Sequence, residues 1–317
     1  MSGGRSTYGL VLAAGEGARL RSLTTDRAGR AVPKQFCSLR GGRSLFGDAL
    51  ERARRVVEPE LVVTVVAADQ REHWSSEVGE LDPENVVVQP KNRGTAAGIL
   101  LPLLAIHERD PRARIVVLPS DHHGRDEAAL VGALAEALDA VDDERVALRG
   151  IEPDAPETDY GWIVPGAPRS GWRKPRRVAE FVETPDALAA RELMARGGLW
   201  NSFLLAGTVE SFLELYAQHL PELLASFAAA RLASPAHRPA WIEMLYVGIG
   251  AHDFSRDVLE AATPWLDVVE APACGWTDLG TPERVARCLR AERALVEPSP
   301  GPAARLVLAR ALEDRGP

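Results

Sequence analysis

Two glycines, an arginine and a lysine near the N-terminus carry the first sign of chemistry. The run Leu12-Ala13-Ala14-Gly15-Glu16-Gly17-Ala18-Arg19-Leu20 leaves an apolar stretch through Gly15 and Gly17 and closes on Arg19. Glycines let a backbone turn sharply and bring its N–H groups close to a phosphate. A forked guanidinium matches phosphate oxygens. Further on, Pro33-Lys34-Gln35-Phe36 fixes the chain at a proline and then presents a compact ammonium, again suited to phosphate. The loop is not a Walker A motif, because Gly-x-x-x-x-Gly-Lys-Ser/Thr is absent. It is not a full dinucleotide fingerprint either, since the third glycine is missing. A third element of chemistry is Asp121, at the end of the apolar run in Leu118-Pro119-Ser120-Asp121-His122. A carboxylate at the C-terminal end of a strand lies where open α/β sheets bind ligands, although aspartate also caps helices.

These groups can meet only if regular elements deliver them to one edge. Tyr8–Ala14, Leu61–Ala67, Val86–Val88 and Ile115–Leu118 read as short buried strands. Helical spacing separates them over Ser44–Val56, Gly94–Glu108 and Glu127–Leu138. Such alternation predicts an α/β fold with a mainly parallel sheet and helices on both faces. From about Arg145 the pattern changes. Val146–Gly150, Gly161–Val164, Val178–Val182 and Ser202–Ala206 are strand candidates among Pro/Gly-rich loops, suggesting an added mixed-sheet lobe over the sheet edge. Helical stretches follow near Val209–Arg231 and Pro239–Val247, then a strand over Leu266–Ala271. Thr281–Leu295 reads as a helix with Thr281 as N-cap and Pro282 at its first position. Pro298–Pro302 reads as a linker and Ala303–Leu312 as a last amphipathic helix.

Bulk properties exclude several classes. With 317 residues, 46% apolar and 26% charged, the chain can bury a large core without disulfide or structural metal. A net charge of −8 gives no support to nucleic-acid binding, so any anion site needs a local cluster of cations. Cys37, Cys274 and Cys288 are far apart with no C-x-x-C pair, which suits a reducing cytoplasm. No signal-peptide pattern and no run of about 18 apolar residues occurs, so a cytoplasmic protein without membrane contact is expected.

Gly17-Ala18-Arg19-Leu20 followed by Pro33-Lys34-Gln35-Phe36 resembles the sugar-phosphate nucleotidyltransferases. Within them it is most similar to the mannose-1-phosphate guanylyltransferases, whose typical form is Pro-Lys-Gln-Phe. The family's Gly-Thr-Arg-Leu lacks its hydroxyl here, because Ala18 stands in that place. Gln89-Pro90-Lys91-Asn92-Arg93-Gly94-Thr95-Ala96-Ala97 resembles the family's purine-contacting Glu-Pro-x-x-x-Asn-Thr-Ala-Pro, with Gly94 where asparagine is usual. A helix start with Thr95 near its N-terminus explains the same residues. Leu118-Pro119-Ser120-Asp121-His122 resembles Leu-Pro-Ala-Asp-His, and Gly275-Trp276-Thr277-Asp278-Leu279-Gly280 resembles Trp-Ser-Asp-x-Gly. Asp159-Tyr160-Gly161-Trp162-Ile163, Phe181-Val182-Glu183-Thr184-Pro185 and Leu199-Trp200-Asn201-Ser202 are similar to Tyr-Gly-Tyr-Ile, Phe-x-Glu-Lys-Pro and Leu-Trp-Asn-Ser. Each of these alone also suits a structural role, Trp200 as a core residue above all. The resemblance runs from about Tyr8 to Leu289.

The resemblance implies a Rossmann-like doubly wound mixed sheet with a smaller sugar-binding lobe, the nucleotide-diphospho-sugar transferase type. The transferase domain would cover residues 1–295, with a nucleotide part to about 145 and a sugar part over 146–295. Residues 296–317 would form a C-terminal linker and helix. Arg19, Lys34, Asp121 and Asp278 would be catalytic. Leu12, Ala13, Ala14, Gly15, Gly17, Pro90, Gly94 and Thr95, with Arg19, Lys34 and Asp121, would surround the nucleotide. Asp121 and Asp278 would hold Mg²⁺, whose preference is for hard oxygen ligands completed by phosphate and water. Gly161, Glu183 and Asn201 would read sugar hydroxyls. The implied substrates are a nucleoside triphosphate, GTP in the first place, and a sugar 1-phosphate, mannose 1-phosphate in the first place. A homodimer is compatible with this. The family's β-helix or cupin-like C-terminal additions are not matched, so no second activity is expected.

Two departures concern the acceptor. Thr184 replaces the lysine that holds the sugar phosphate in the family. In Asp253-Phe254-Ser255-Arg256-Asp257-Val258-Leu259-Glu260, Ser255 and Arg256 replace the Asp and Tyr of Phe-Asp-Tyr-x-Val-Met-Glu. Arg256 is therefore expected to supply the cation that Thr184 does not, with a surface arginine as the plain alternative. Lys174, Arg176 and Arg177 are further donors, or a solvated charged face. The departures also keep two other outcomes open: another nucleotide or phosphorylated acceptor, and a catalytically weak nucleotide-sugar-binding regulatory paralogue.

Overall fold

The computed structural model describes residues 5–25, 29–39, 41–168, 175–271 and 274–293. The linker and helix expected over 296–317, and Lys174, lie outside these residues. Eleven strands are described: β1 (Thr7–Ala13), β2 (Val62–Ala67), β3 (Val86–Gln89), β4 (Arg114–Pro119), β5 (His123–Gly124), β6 (Val146–Ile151), β7 (Trp162–Pro168), β8 (Arg176–Val182), β9 (Leu199–Thr208), β10 (Leu266–Glu270) and β11 (Trp276–Thr277).

The apolar, Val-rich runs of β1, β2, β3 and β4 pair in parallel, in the order β3-β2-β1-β4. Side chains alternate across a strand, so each strand feeds two cores. Leu10, Val63, Ile115 and Val117 face one. Val11, Val62, Val116 and Leu118 face the other. The first face is covered by the helices Gly94–Arg109, Val209–His219, Pro221–Arg231 and Arg238–Gly248. The second is covered by Leu45–Arg54, Glu127–Asp139 and Ala187–Ala195. On that face the buried Arg52 makes a bidentate pair with Glu127 (3.0 and 2.7 Å), which locks two helices together.

The mixed part expected after Arg145 is built onto the same sheet, which has nine strands in the order β3-β2-β1-β4-β9-β6-β10-β8-β7. β9 runs antiparallel between β4 and β6, and its first residues also pair with β7. β9 is longer than the expected Ser202–Ala206, and nearly every residue in it is buried. One expected helix is two: Val209–Arg231 breaks at Leu220. Pro221 excludes the helical conformation from the residue before it, and Leu220 sits at φ −135°, ψ 53°. At the other end of the chain Thr281 caps the helix Pro282–Arg293, its hydroxyl accepting from the Arg284 N–H at 3.3 Å.

Candidate active site

In a parallel sheet of order 3-2-1-4 the connections from β1 and β4 leave in opposite directions, and a crevice opens between their C-terminal ends. Leu12 of β1 is in register with Pro119 of β4, and the Ser120 N–H donates to the Leu12 carbonyl at 3.0 Å. The glycine loop after β1 therefore lies directly beside Asp121. A cleft of about 390 Å³ opens there. It extends from Leu12, Gly15 and Gln89 at one end to Glu183, Asn201 and Asp253 at the other.

The Pro33-Lys34-Gln35-Phe36 segment holds the loop in shape. Gln35 donates to the Gly15 carbonyl at 2.7 Å and the Ala13 carbonyl at 3.3 Å, and Gln70 donates to the same Gly15 carbonyl at 3.0 Å. Phe36 anchors the segment edge-on against Phe46. Gly17 has φ 60°, and a Cβ there would stand 2.7 Å from the Lys34 backbone nitrogen. Glycine is thus required where the loop crosses the lysine segment.

Lys34 is buried, and its ammonium lies between the two aspartates. It donates to Asp121 Oδ2 at 2.8 Å and to the backbone carbonyl of Asp278. Asp278 Oδ1 accepts from the Tyr160 hydroxyl (2.9 Å), the Gly280 N–H (2.8 Å) and Arg284 (3.3 Å). Burial opposes ionisation of both carboxyls, but the nearby Lys34 ammonium more than offsets it with the help of other neighbours, and both are held below the usual carboxylate range. Arg19, largely exposed, leans over the mouth within 3.7 Å of Asp278 and 3.8 Å of Asp159. β5, just after Asp121, pairs with β11, just before Asp278, so a short ribbon binds the two carboxylates to one another.

Residues 8–292 match the profile of the family described as "Nucleotidyl transferase". The chain belongs to the nucleotidyl transferase family. It is 31% identical over 219 residues to the alginate biosynthesis protein AlgA of Pseudomonas syringae pv. tomato, covering 68% of this chain and 44% of that protein. It is 31% identical over 224 residues to the mannose-1-phosphate guanylyltransferase of Escherichia coli, covering 68% and 46%. The chain thus spans about half the length of the curated relatives it matches. Among solved structures it is similar to "mannose-1-phosphate geranyltransferase" from Thermus thermophilus, with TM-score 0.72, 29% identity, and coverage of 87% of this chain and 76% of that one. The expected α/β fold of the nucleotide-diphospho-sugar transferase type is the fold found, and the relatives are sugar-phosphate nucleotidyltransferases.

In this nucleotidyl transferase chain, Leu12, Ala14, Gly15, Arg19, Gly94, Thr95, Asp121, Gly161, Glu183, Asn201 and Asp278 line this cleft together. Ala13 does not: with period 2 along β1 its side chain points into the opposite core. Pro90 is absent from the wall, while its neighbours Gln89 and Asn92 are in it. Asp121 caps no helix, since the next one, Glu127–Asp139, is capped by Asp126. The Thr95 hydroxyl accepts from the Phe254 N–H at 2.7 Å and lies 3.2 Å from Asp253. Gly94 has φ 82°, and a Cβ there would stand 2.1 Å from the His252 carbonyl oxygen. The segment around His252 and Asp253 packs directly on this backbone, which leaves no room for a side chain.

At the far end, burial and then the neighbouring Asp253 push the Glu183 carboxyl up to about 7, against the pull of Arg256. Its Oε2 is buried without a partner among the described residues. Arg256 reaches Thr184, donating to its hydroxyl at 3.2 Å, and stands beside the cleft without lining it. Arg176 is elsewhere: it donates to the Gly166 carbonyl at 2.9 Å across the β7–β8 hairpin. Trp200 is buried against Tyr160 and Trp162, as a core residue would be.

Arg284 carried no sequence signal, while Gln89 and His122 stood inside motifs with no role assigned to either. Arg284 reads as a helix-surface arginine, yet it is buried, contacts Asp278, Glu157 (2.6 Å) and Asp159 (3.4 Å), and lies 4.2 Å over the Tyr160 ring. Gln89 ends β3 with its buried Oε1 unpartnered among the described residues, on the cleft wall. His122, next to Asp121, packs edge-on against Trp276.

Proposed function

We propose that this chain catalyses nucleotidyl transfer from a nucleoside triphosphate to a sugar 1-phosphate. The phosphate oxygen of the sugar attacks the α-phosphorus in line, the bond to the β-phosphate oxygen breaks, and pyrophosphate leaves. The buried Lys34 ammonium between Asp121 and Asp278, at the β1/β4 crevice, supports this most strongly. A fixed cation beside a glycine loop suits a triphosphate that must gain negative charge on its leaving group. The attacking phosphate is already an anion, so no general base is required. Lys34 and Arg19 neutralise the pyrophosphate, the loop and Gln89 side of the cleft holds the nucleoside, and Glu183 and Asn201 orient the sugar.

Magnesium belongs to this proposal. Asp121 and Asp278 are hard oxygen donors, ionised and facing one cleft, which fits the ion. Among the described residues no group of three or more ligating side chains occurs, so the two aspartates would hold the ion together with oxygens supplied by substrate and water. When bound, the ion supplies charge neutralisation of the phosphates.

GTP and mannose 1-phosphate are the first substrates to test, on the strength of the relatives named for that reaction. Thr184 favours a second reading, a different phosphorylated acceptor, because no lysine stands there. A matrix of four nucleoside triphosphates against several sugar 1-phosphates, scored by pyrophosphate release, decides both. The expected result is Mg²⁺-dependent release, abolished by EDTA and strongest with GTP and mannose 1-phosphate. Binding without release for every pair would replace the enzyme by a nucleotide-sugar-binding regulator. No helix among the described residues is long and apolar enough to cross a membrane. The cytoplasm is the compartment proposed for the reaction, on the strength of three cysteines spaced far apart.

A further inference from the structure

A second cavity, of about 220 Å³, lies behind the ribbon that carries the two aspartates. Arg125, Arg284 and Arg287 wall it, together with Asp154, Trp276 and Cys288. Trp276, in β11, lines this cavity and the catalytic cleft alike, so the β5–β11 ribbon is the partition between them.

The charge of the cavity is one-sided. With the Arg284 guanidinium already paired to carboxylates outside this wall, those of Arg125 and Arg287 face the single carboxylate of Asp154, and the pair between Asp154 and Arg287 is long, at 3.7 Å, with both side chains about half exposed or more. Such a pair holds its partners weakly. Arg125 makes no ion pair among the described residues, and its side chain lies across Gly275, where a Cβ would come within 2.9 Å of it. Arg284, Arg287, Cys288 and Ala291 fall at the i, i+3, i+4, i+7 spacing of one face of the helix Pro282–Arg293. The apolar stripe of this helix, Val285, Cys288 and Leu289, packs into the core beside it, so the two arginines flank that stripe on the cavity side. Arg284 differs from the other two. It is buried and already engaged with Asp278, Glu157 and Asp159 on the catalytic side.

We propose that this cavity is an effector site for a small phosphorylated anion, held by Arg125 and Arg287 and coupled to Asp278 through Arg284. A phosphoryl group suits it because its oxygens accept the forked donors of two arginines at once. A bound dianion draws the Arg284 guanidinium toward itself and loosens its grip on the Asp278 carboxylate. That carboxylate then has more free charge to offer a magnesium–triphosphate complex. By linkage, the triphosphate complex must tighten effector binding by the same factor. The coupling rests on the proposed role of Asp278 in nucleotidyl transfer, while the anion site itself does not.

Calorimetric titration of the full chain with inorganic phosphate and with glucose 6-phosphate tests the site, with glucose as control. The two phosphorylated probes separate a bare phosphate reader from a phosphosugar reader. Either one binding, with affinity lost at least about tenfold in R125A/R287A, supports the proposal. Arg125→Gln with Arg287→Gln keeps side-chain bulk and checks that the loss is one of charge rather than of folding. Binding that survives both double variants, or no binding of either probe to the wild type, overturns it. For the coupling, a saturating probe should tighten magnesium–GTP binding about fivefold in the wild type and not in R125A/R287A. No change, or a loosening, overturns the coupling. Pyrophosphate release is measured in parallel without probe. Its absence for the wild type would remove the nucleotidyl-transfer proposal and leave the titrations to decide the anion site.

Discussion

At the scale of single residues, the end of the cleft proposed for the acceptor departs from the expected family pattern at Thr184 and Arg256. Arg256 stands within hydrogen-bond reach of Thr184, so a cation is present close to where the family's lysine would start. Charge-assisted hydrogen bonds contribute roughly 1.5–3 kcal/mol, so Arg256→Ala should raise the KM for the sugar 1-phosphate about ten- to a hundredfold. The KM for the triphosphate should stay unchanged. Equal sugar-phosphate kinetics in the variant would make Arg256 a surface residue. Glu183 yields a pH prediction. Its folded-state value of about 7 is above that of an exposed glutamate, so the native state binds more protons than the unfolded state over that interval. Stability is therefore lost as pH rises from the ordinary carboxylate range toward 7. Glu183→Gln should flatten the fall in Tm between about pH 4.5 and 7, and a Tm profile identical to wild type would show that the carboxyl is not protonated there.

At the scale of elements, the site depends on backbones that pass close together. Gly94 begins its helix at positive φ with the His252 carbonyl against its Cα. Gly94→Ala must either strain that turn or push the His252 segment away. A loss of about 2 kcal/mol or more is expected, a fall of roughly 3 °C or more in Tm, together with weakened triphosphate binding. An alanine variant with wild-type Tm would mean that the segment yields freely. The strands that carry the glycine loop and Asp121 were legible because Val-rich runs ending in Gly15 and Ser120-Asp121 state both the element and its end. The break at Leu220 was legible too, in principle, from Pro221 alone. The role of Arg284 was not. A single arginine in a helix carries no local mark of burial, and its partners are 125 or more positions away for Glu157 and Asp159, across the fold.

For the whole molecule, the placement of β9 decides how the two halves relate. The strands before and after residue 145 share one sheet, because β9 fills the edge of β4. A fragment ending at residue 145 would expose the full edge of β4 and the apolar surface that the helices Val209–His219, Pro221–Arg231 and Arg238–Gly248 cover. Such a fragment is expected to aggregate or remain unfolded by circular dichroism, whereas the full chain should melt in one transition. A soluble fragment with native-like ellipticity would show that the nucleotide part folds alone. The same placement brings Asn201, at the start of β9, to the edge where β1 and β4 end, so that both ends of the cleft are built on a common frame.

The amino-acid sequence by itself determined the strand-and-helix alternation, the glycine turn after β1, the lysine behind Pro33 and the aspartate that ends β4. Each of these is written in local composition: apolar period, glycine at a turn, a charged residue at a strand end. Asp278 was singled out by the family resemblance of its motif. Only the tertiary structure decided that Lys34 lies buried between the two aspartates, that Ala13 turns away from the cleft, and that Arg256 meets Thr184. It also decided that a second, arginine-walled cavity backs onto the β5–β11 ribbon. Those facts depend on strand register and on contacts between distant segments, which no window of sequence contains.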